Sequence, residues 1–143
     1  MLTLSDVIDR HGFSVLEQLD RQASIPFLTG IQYQGDTSIV PLAELRERIT
    51  VTGANQPLPA AGIAVIEAAG GGHEHRLFAH QGTCLWNPGI GDTENLAIGL
   101  LSVGDDALAL QAHAEHGYTG MGPGQYVIGR QREQADSERL VAD

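Results

Sequence analysis

From Ile25 onward, apolar residues recur in short runs that are separated by Gly, Pro, Asp and Asn, a pattern typical of short β-strands. Residues 96–103, LAIGLLSV, are apolar at nearly every position and predict a central strand. Further strands are predicted for the runs IAVIEA, HRLFA, ALALQAHAE and QYVIGRQRE. Several short strands divided by turn signals predict a mainly β fold, which is either a compact antiparallel sandwich or a small barrel.

The start of the chain has a different pattern, which predicts two short helices. Ser5 is a candidate N-cap for the first, and Gly12 suits the position just past its end. Ser14 and Glu17 form a capping-box pattern for a second helix that runs to about Ala23. We therefore expect short N-terminal helices that pack on a β domain or extend from it.

The length of 143 residues is enough for one domain with a substantial core. We divide the chain into an N-terminal helical segment at residues 1–24, a β domain at residues 25–134 and a polar tail at residues 135–143. We see no basic and apolar leader at the N-terminus and no apolar run near the ~20 residues of a membrane helix. The expected protein is soluble and cytoplasmic, with no membrane partner.

Charge and cysteine content narrow the classes of partner. The net charge is −10, and all eight basic residues are arginine, which indicates a bacterial origin. An acidic surface repels phosphate backbones, so direct nucleic-acid binding is disfavoured. Cys84 is the single cysteine, which excludes a disulfide within the chain and favours a reducing compartment. A protein partner or a homo-oligomer is compatible with these properties.

The segment GGGHEHRLFAHQG, residues 70–82, holds the first candidate chemistry. Side chains two residues apart share one face of a strand, so His73 and His75 project together. This spacing is found in β proteins that bind Zn, Fe, Mn or Cu. His80 lies on the opposite face and is a weaker candidate.

Two histidines do not complete a metal site, and the best source of further ligands is the segment AHAEHG. It supplies His113 and His116, with Glu115 as a further ligand or a general base. If the strands HRLFA and ALALQAHAE are neighbours, the four histidines converge. Strand alternation predicts that Gln111, His113 and Glu115 face away from the core, which places His113 on an outer face or at a rim. The alternative is that these are exposed histidines that bind only water and neighbouring groups.

The strand YVIGRQRE is the second candidate. Alternation puts Tyr126, Ile128, Arg130 and Arg132 on one face. Arginines on a strand face of an acidic protein either pair with its own carboxylates or contact an anionic ligand or partner. Tyr126, Arg130 and Arg132 are therefore candidate contacts for such an anion or partner.

Three segments together resemble a family of small uncharacterised bacterial proteins: QGD near Gly35, GGHEH at residues 71–75 and HAEHGYTGMGPGQYVIGRQRE at residues 113–133. In that family a Gly-His-x-His segment is followed by His-x-x-His and then by a Pro-, Gly- and Tyr-containing strand that closes on Arg-Gln-Arg-Glu. An aromatic residue often follows the final Glu, where this chain has Gln134. The resemblance covers about the C-terminal half and the Gly35–Asp36 turn, without the N-terminal helices.

The resemblance implies one constellation but no activity. Its members would be the four histidines at positions 73, 75, 113 and 116, together with Tyr126 and Arg132.

Three functions remain open at this point. The first is a non-catalytic accessory or binding protein whose histidines hold a divalent transition metal. The second is a cupin-like metal-dependent enzyme, although the order of the histidine segments and the Pro-Gly turn is inverted relative to cupins. The third is a structural or assembly subunit without a metal. The sequence leans away from an enzyme without deciding the question.

Overall fold

The protein is represented by a computed structural model that describes residues 1–67 and 73–131. Its α-helix, α1, spans Leu4–His11. Thr3 is the N-cap and forms a capping box with Asp6, and Gly12 ends the helix in the left-handed conformation with φ of 73°. The first predicted helix is thus confirmed, with its cap at Thr3 and not at Ser5. No helix in the described ranges is both long and apolar enough to cross a membrane.

Short β-strands make up most of the remaining described chain. In chain order they are β1 (Phe27–Leu28), β2 (Gln32–Gln34), β3 (Thr37–Pro41), β4 (Ile49–Val51), β5 (Gln56–Pro57), β6 (Ile63–Ile66), β7 (His75–Gln81), β8 (Cys84–Asn87), β9 (Ile90–Asp92), β10 (Ala97–Val103), β11 (Leu108–His113), β12 (Gly117–Met121) and β13 (Gly124–Arg130). A single 3₁₀ turn, Leu42–Leu45, follows β3 in the described residues.

These strands form two large sheets and one small one. The five-stranded sheet has the order β1-β12-β11-β7-β6, and the six-stranded sheet has the order β2-β3-β13-β10-β8-β5. Strands β4 and β9 form a separate pair. All pairings are antiparallel except that of β1 with β12. The predicted central strand is confirmed, since β10 lies between β13 and β8.

The two large sheets pack face to face around the main core. Buried residues of both sheets meet there, including Ile39, Leu77, Leu101, Met121 and Ile128. The described sheets do not close into a barrel. The mainly β class is therefore confirmed, and of the two predicted architectures the structure has the sandwich.

Both outer faces of the sandwich are also partly covered. Helix α1 and the segment after it pack on the five-stranded sheet, where Val7 contacts a cluster that includes Phe78 and Leu110. On the other side the 3₁₀ turn and β4 cover the six-stranded sheet around Leu100 and Val127. The central strands are therefore buried on both faces.

The second predicted helix is wrong. Residues 14–23 form turns and irregular backbone, in which backbone groups bond to other parts of the fold and to a side chain. The N–H of Leu16 donates to the carbonyl oxygen of Ala114 at 2.8 Å. The guanidinium of Arg21 donates to the carbonyl oxygens of Leu16 and Leu19 at 3.0 and 2.9 Å.

The predicted orientation of Gln111 and His113 is also wrong. On β11, Leu110 and Ala112 face α1, so Gln111 and His113 point to the inner face between the sheets. Gln111 is 0% exposed and His113 is 7% exposed. The prediction assumed that only one face of this sheet is covered, whereas α1 also covers the other face.

Candidate functional site

The candidate site lies where β7 begins and β11 ends, at one end of the sandwich. His75 is the first residue of β7 and pairs directly with His113, the last residue of β11. Residues opposite each other on antiparallel strands bring their side chains into contact. The strand pairing on which the predicted convergence depended is therefore present.

Four imidazoles meet at this end, and we call His73, His75, His113 and His116 the histidine cluster. The ring of His113 is central: it stacks on His75 with a centroid distance of 4.2 Å and on His116 at 4.8 Å. The ring of His73 meets it edge-on at 5.8 Å. His75 and His113 are buried, whereas His73 and His116 are exposed.

Two carboxylates flank the cluster. The Nε2 atom of His75 lies 2.9 Å from Oδ1 of Asp36, and Nε2 of His73 lies 3.3 Å from Oε1 of Glu115. The second pair is half exposed, with side-chain exposures of 40% and 50%. Such an exposed pair contributes little to stability, so the buried contact of His75 is the stronger feature.

Asp36 reaches the cluster from the opposite sheet, on the turn between β2 and β3. Gly35 precedes it with a φ of 57°, a left-handed conformation that glycine adopts at low cost. A Cβ atom on Gly35 would lie 2.9 Å from Cδ2 of His116. The turn therefore needs glycine both for its backbone conformation and for the approach of His116.

A buried network of amide side chains supports His75. Oε1 of Gln34 lies 3.0 Å from Nδ1 of His75 and accepts a hydrogen bond from Nε2 of Gln111 at 2.9 Å. The same Gln111 nitrogen donates to Oγ1 of Thr37 at 2.9 Å. These side chains tie the inner faces of the two sheets together next to the cluster.

Burial keeps the inner imidazoles neutral near pH 7. Desolvation lowers the pKa of His75, partly offset by the hydrogen bond and charge of Asp36. Desolvation, followed by the charges of His75 and His116, lowers the pKa of His113 to about 4. Neutral imidazole is the form that binds metal ions.

The present side-chain arrangement is not that of a closed metal site. In the ranges 1–67 and 73–131 no group of three or more His, Cys, Asp or Glu residues is arranged so that it could hold a metal ion. The rings of His75 and His116 stack on that of His113, and the ring of His73 meets it edge-on. The predicted metal ligands are thus brought together, but metal binding itself stays a prediction.

The other candidate residues lie apart from the cluster. Tyr126 is 1% exposed and donates its hydroxyl to the carbonyl oxygen of Gly122 at 2.8 Å, so it does not reach a surface ligand. Arg130 is exposed and lines a groove of about 300 Å³ on the outer side of the six-stranded sheet. Arg132 and the predicted tail lie outside the described residues. The role of Arg130 in anion or partner contact stays a prediction.

One family model matches residues 33–131, from β2 to just past β13. It describes a domain of unknown function, DUF8820. The chain belongs to this family. The DUF8820 match includes the Gly35–Asp36 turn and the described members of the histidine cluster but not α1, in agreement with the extent of the resemblance in the sequence. The expectation of a family without an assigned activity is confirmed.

No curated protein and no solved structure matches the chain.

Three residues of the site were missed in the sequence, namely Gln34, Asp36 and Gln111. Asp36 was visible only as part of a turn. Gln111 shares a strand face with His113, which was a signal for a buried polar position once that face was known to be covered. Gln34 had no such signal, because its contact with His75 joins residues 41 positions apart.

Proposed function

We propose that this DUF8820 protein is a non-catalytic accessory protein that binds a divalent transition metal through its histidine cluster. The observation that supports it best is the convergence of four imidazoles from the ends of β7 and β11 and the loops next to them. A group of four at one end of a sandwich, with two carboxylates beside it, has the donor types that Zn²⁺ and similar ions use.

Position and exposure favour binding from solvent. His73, His116 and Glu115 are exposed and can turn toward an incoming ion, which the buried histidines cannot do. The buried rings are held by the strands, and the exposed ones supply the movement that a closed site requires. Nothing in the described sheets favours the cupin-like enzyme, because they form a sandwich and not a barrel.

The test is the metal content of the full chain without a histidine tag. We expect about one ion of Zn, Mn, Fe or Cu per chain, as isolated or after loading and dialysis, measured by inductively coupled plasma mass spectrometry. The double variant His73→Ala/His116→Ala should lose most of it. Both side chains are exposed, so this variant should keep its fold, which circular dichroism can check.

The matched control is His80→Phe, which removes an imidazole from the opposite face of β7 and keeps a ring that stacks on Phe27. It should retain the metal content of the wild type. The proposal is overturned if the loaded wild type holds far less than one ion per chain, or if the double variant holds as much metal as the wild type.

A further inference from the structure

We infer that two copies of this chain associate through β2, which pairs with the β2 strand of the second copy in antiparallel orientation. The pairing surface consists of residues 31–34, and we call it the β2 edge. This inference goes beyond the proposed function and does not depend on a metal. It follows from a comparison of the strands that end the two large sheets and from the exposed side chains along one of them.

Four described strands end the two large sheets: β1 and β6 in one, β2 and β5 in the other. The outer side of an end strand carries backbone N–H and C=O groups that can pair with another chain, and proteins commonly block such strands with proline, charge or a bulge. Three of the four ends have such a feature. Pro26 immediately precedes the two-residue β1, and Pro57 lies in β5. The register of β6 with β7 shifts between Ala64 and Ile66.

The β2 edge has none of these blocking features. Its sequence, IQYQ, contains no proline and no charge, and β2 pairs with β3 in a continuous register from Gln32 to Gln34. The uncharged stretch is longer than the strand, since it covers residues 22–35 of a chain with a net charge of −10. Two molecules of the same net charge approach with least repulsion where neither carries charge. The edge therefore fits a second copy better than it fits a basic protein that the acidic surface would attract.

Exposed large apolar side chains concentrate at this edge. Five such side chains occur in the described residues, and Leu28, Ile31 and Tyr33 lie in one short segment, with exposures of 48%, 50% and 64%. The other two are Met1 and Val51, at the N-terminus and on β4. Single exposed apolar residues are common on monomeric proteins, whereas a group of them is typical of an interaction site.

The geometry of the β2–β3 hairpin determines which backbone groups face outward. Gln34 and Thr37 flank its two-residue turn and form a hydrogen-bonded pair. Along an antiparallel strand the backbone groups of alternate residues face the same neighbour, so those of Gln32 and Gln34 face β3. The N–H and C=O groups of Ile31 and Tyr33 therefore face away from β3, toward the position of a further strand.

Two-fold symmetry selects the register of the pairing. With Gln32 on the symmetry axis, Ile31 of each copy lies opposite Tyr33 of the other, and each of these pairs exchanges both of its backbone hydrogen bonds. An aliphatic residue opposite an aromatic one is a favourable cross-strand pair. Moving the axis by one residue would place Ile31 or Tyr33 opposite itself and the other residue opposite a position outside the strand. The edge is thus complementary to itself in one register.

The size and charge of the β2 edge determine how the association should behave. Stable dimers bury more than about 1,000 Å² in total, and a contact between two short strands falls below that range, so we expect a dimer in rapid exchange with a dissociation constant in the micromolar range. Backbone and apolar contacts hold the pair together while the net charges of the two copies repel. Added NaCl should therefore strengthen the association, whereas it would weaken one based on ion pairs.

The test is sedimentation of the full untagged chain with chelator present, at concentrations from about 10 µM to about 1 mM. We expect a reversible equilibrium between monomer and dimer. Tyr33→Glu and Ile31→Glu should each weaken it by about tenfold or more, since each substitution changes both cross-strand pairs. Both side chains are exposed, so these variants should keep their fold, which urea denaturation can check. Val51→Glu makes the same change at an exposed apolar residue on β4 and should associate as the wild type does.

A charge exchange tests the register. Adding Ile31→Arg to Tyr33→Glu places opposite charges across the axis in both pairs and should restore most of the lost association. Adding Val51→Arg to Tyr33→Glu gives the same net charge without that contact and should restore little. If Tyr33 were opposite itself, the variant carboxylates would face each other and Ile31→Arg would not restore the pair.

The outcomes separate this inference from the proposed metal binding, since chelator is present throughout. A monomer at every concentration overturns the inference, and so does a Tyr33→Glu variant that associates as well as the wild type. Val51→Glu that impairs association as much as Tyr33→Glu does would place the contact elsewhere. A dimer that Tyr33→Glu weakens and Ile31→Arg does not restore overturns the register alone.

Discussion

Two features of the structure favour glycine at position 35. Its backbone has a φ of 57°, and a Cβ atom there would press on the imidazole of His116. Residues other than glycine pay about 1–3 kcal/mol for such a conformation. Because the clash is with a side chain at the protein surface, most of the cost falls on the turn, and the displaced ring alters the cluster.

We predict that Gly35→Ala lowers the free energy of unfolding by about 1–3 kcal/mol and moves the ring of His116 away from that of His113. Urea denaturation measures the first effect, and NMR shifts of the two rings report the second. Gly30→Ala is the matched control, because Gly30 has no positive φ and no atom within 4 Å of its would-be Cβ. Equal stability of the two variants would contradict the prediction.

Which site residues could be predicted depends on how local their geometry is. The two-residue spacing predicts that His73 and His75 project from the same face of a strand. That His113 joins them required one further prediction, namely that the two strands are neighbours. Asp36 and Gln34 come from the other sheet, 39 and 41 positions before His75. No spacing rule places them, because their position depends on how the two sheets pack.

At the scale of elements, the C-terminal end of α1 is attached to β7 by a chain of polar contacts. Arg10 Nη1 lies 3.4 Å from Nε2 of His80, and Nδ1 of His80 lies 3.0 Å from Nε2 of His11. A guanidinium only donates, so Nε2 of His80 accepts and its Nδ1–H donates to His11. Both histidines must therefore be neutral, and protonation of either one places two donors face to face.

The other groups around this contact do not compensate for a proton. Phe27 stacks on His80 and Phe78 contacts the ring of His11, and neither carries a charge. The hydroxyl of Tyr118 donates to the carbonyl oxygen of Phe13, and burial raises its pKa to about 12. Burial and the charges of His80 and Arg10 lower the pKa of His11 to about 4, and burial lowers that of His80.

We predict that acid loosens α1. The pKa of His11 is lower in the folded state than the unfolded value near 6.5, so the attachment is intact above about pH 6.5 and weakens as the pH falls toward 4. Hydrogen exchange by mass spectrometry, corrected for the intrinsic rate, should show loss of protection in α1 before β10. His80→Phe keeps the stacking on Phe27 and should reduce this pH dependence by the part that comes from His80, while the burial of His11 maintains the rest. An unchanged dependence in that variant would contradict the mechanism.

The strands were easier to predict than the faces they present. Alternation and turn residues are local, so the central position of β10 and the existence of β11 and β13 could be inferred. The face of Gln111 could not, because it depends on α1 covering the far side of the sheet. The failed second helix has the same cause: a capping box at Ser14 was outweighed by the contacts of Leu16 and Arg21 with other parts of the fold.

For the whole molecule, the excess of negative charge opposes compaction. The chain has 18 acidic and 8 basic residues, a net charge of −10. The arginines are used locally: Arg48 is shared by Asp92 and Glu94 at 2.7 and 2.9 Å, and Arg76 binds Glu74 at 2.9 Å. Salt screens exposed, distant charges strongly and buried, adjacent charges weakly. The Arg48–Asp92 pair, in which Asp92 is buried, is therefore screened less than the repulsion between distant carboxylates.

We therefore predict that salt stabilises the metal-free protein. Raising NaCl from about 0.02 M to about 1 M shortens the screening length to about 3 Å, which removes most of the long-range repulsion and leaves the buried Arg48–Asp92 contact in place. The urea midpoint at neutral pH, measured with chelator present, should rise. Choline chloride should act as NaCl does, because screening does not depend on the identity of the cation. A fall in the urea midpoint would contradict the prediction, because it would mean that the ion pairs stabilise the protein by more than the net repulsion destabilises it. An effect of one salt alone would indicate specific ion binding, for which the histidine cluster and its carboxylates are the first place to look.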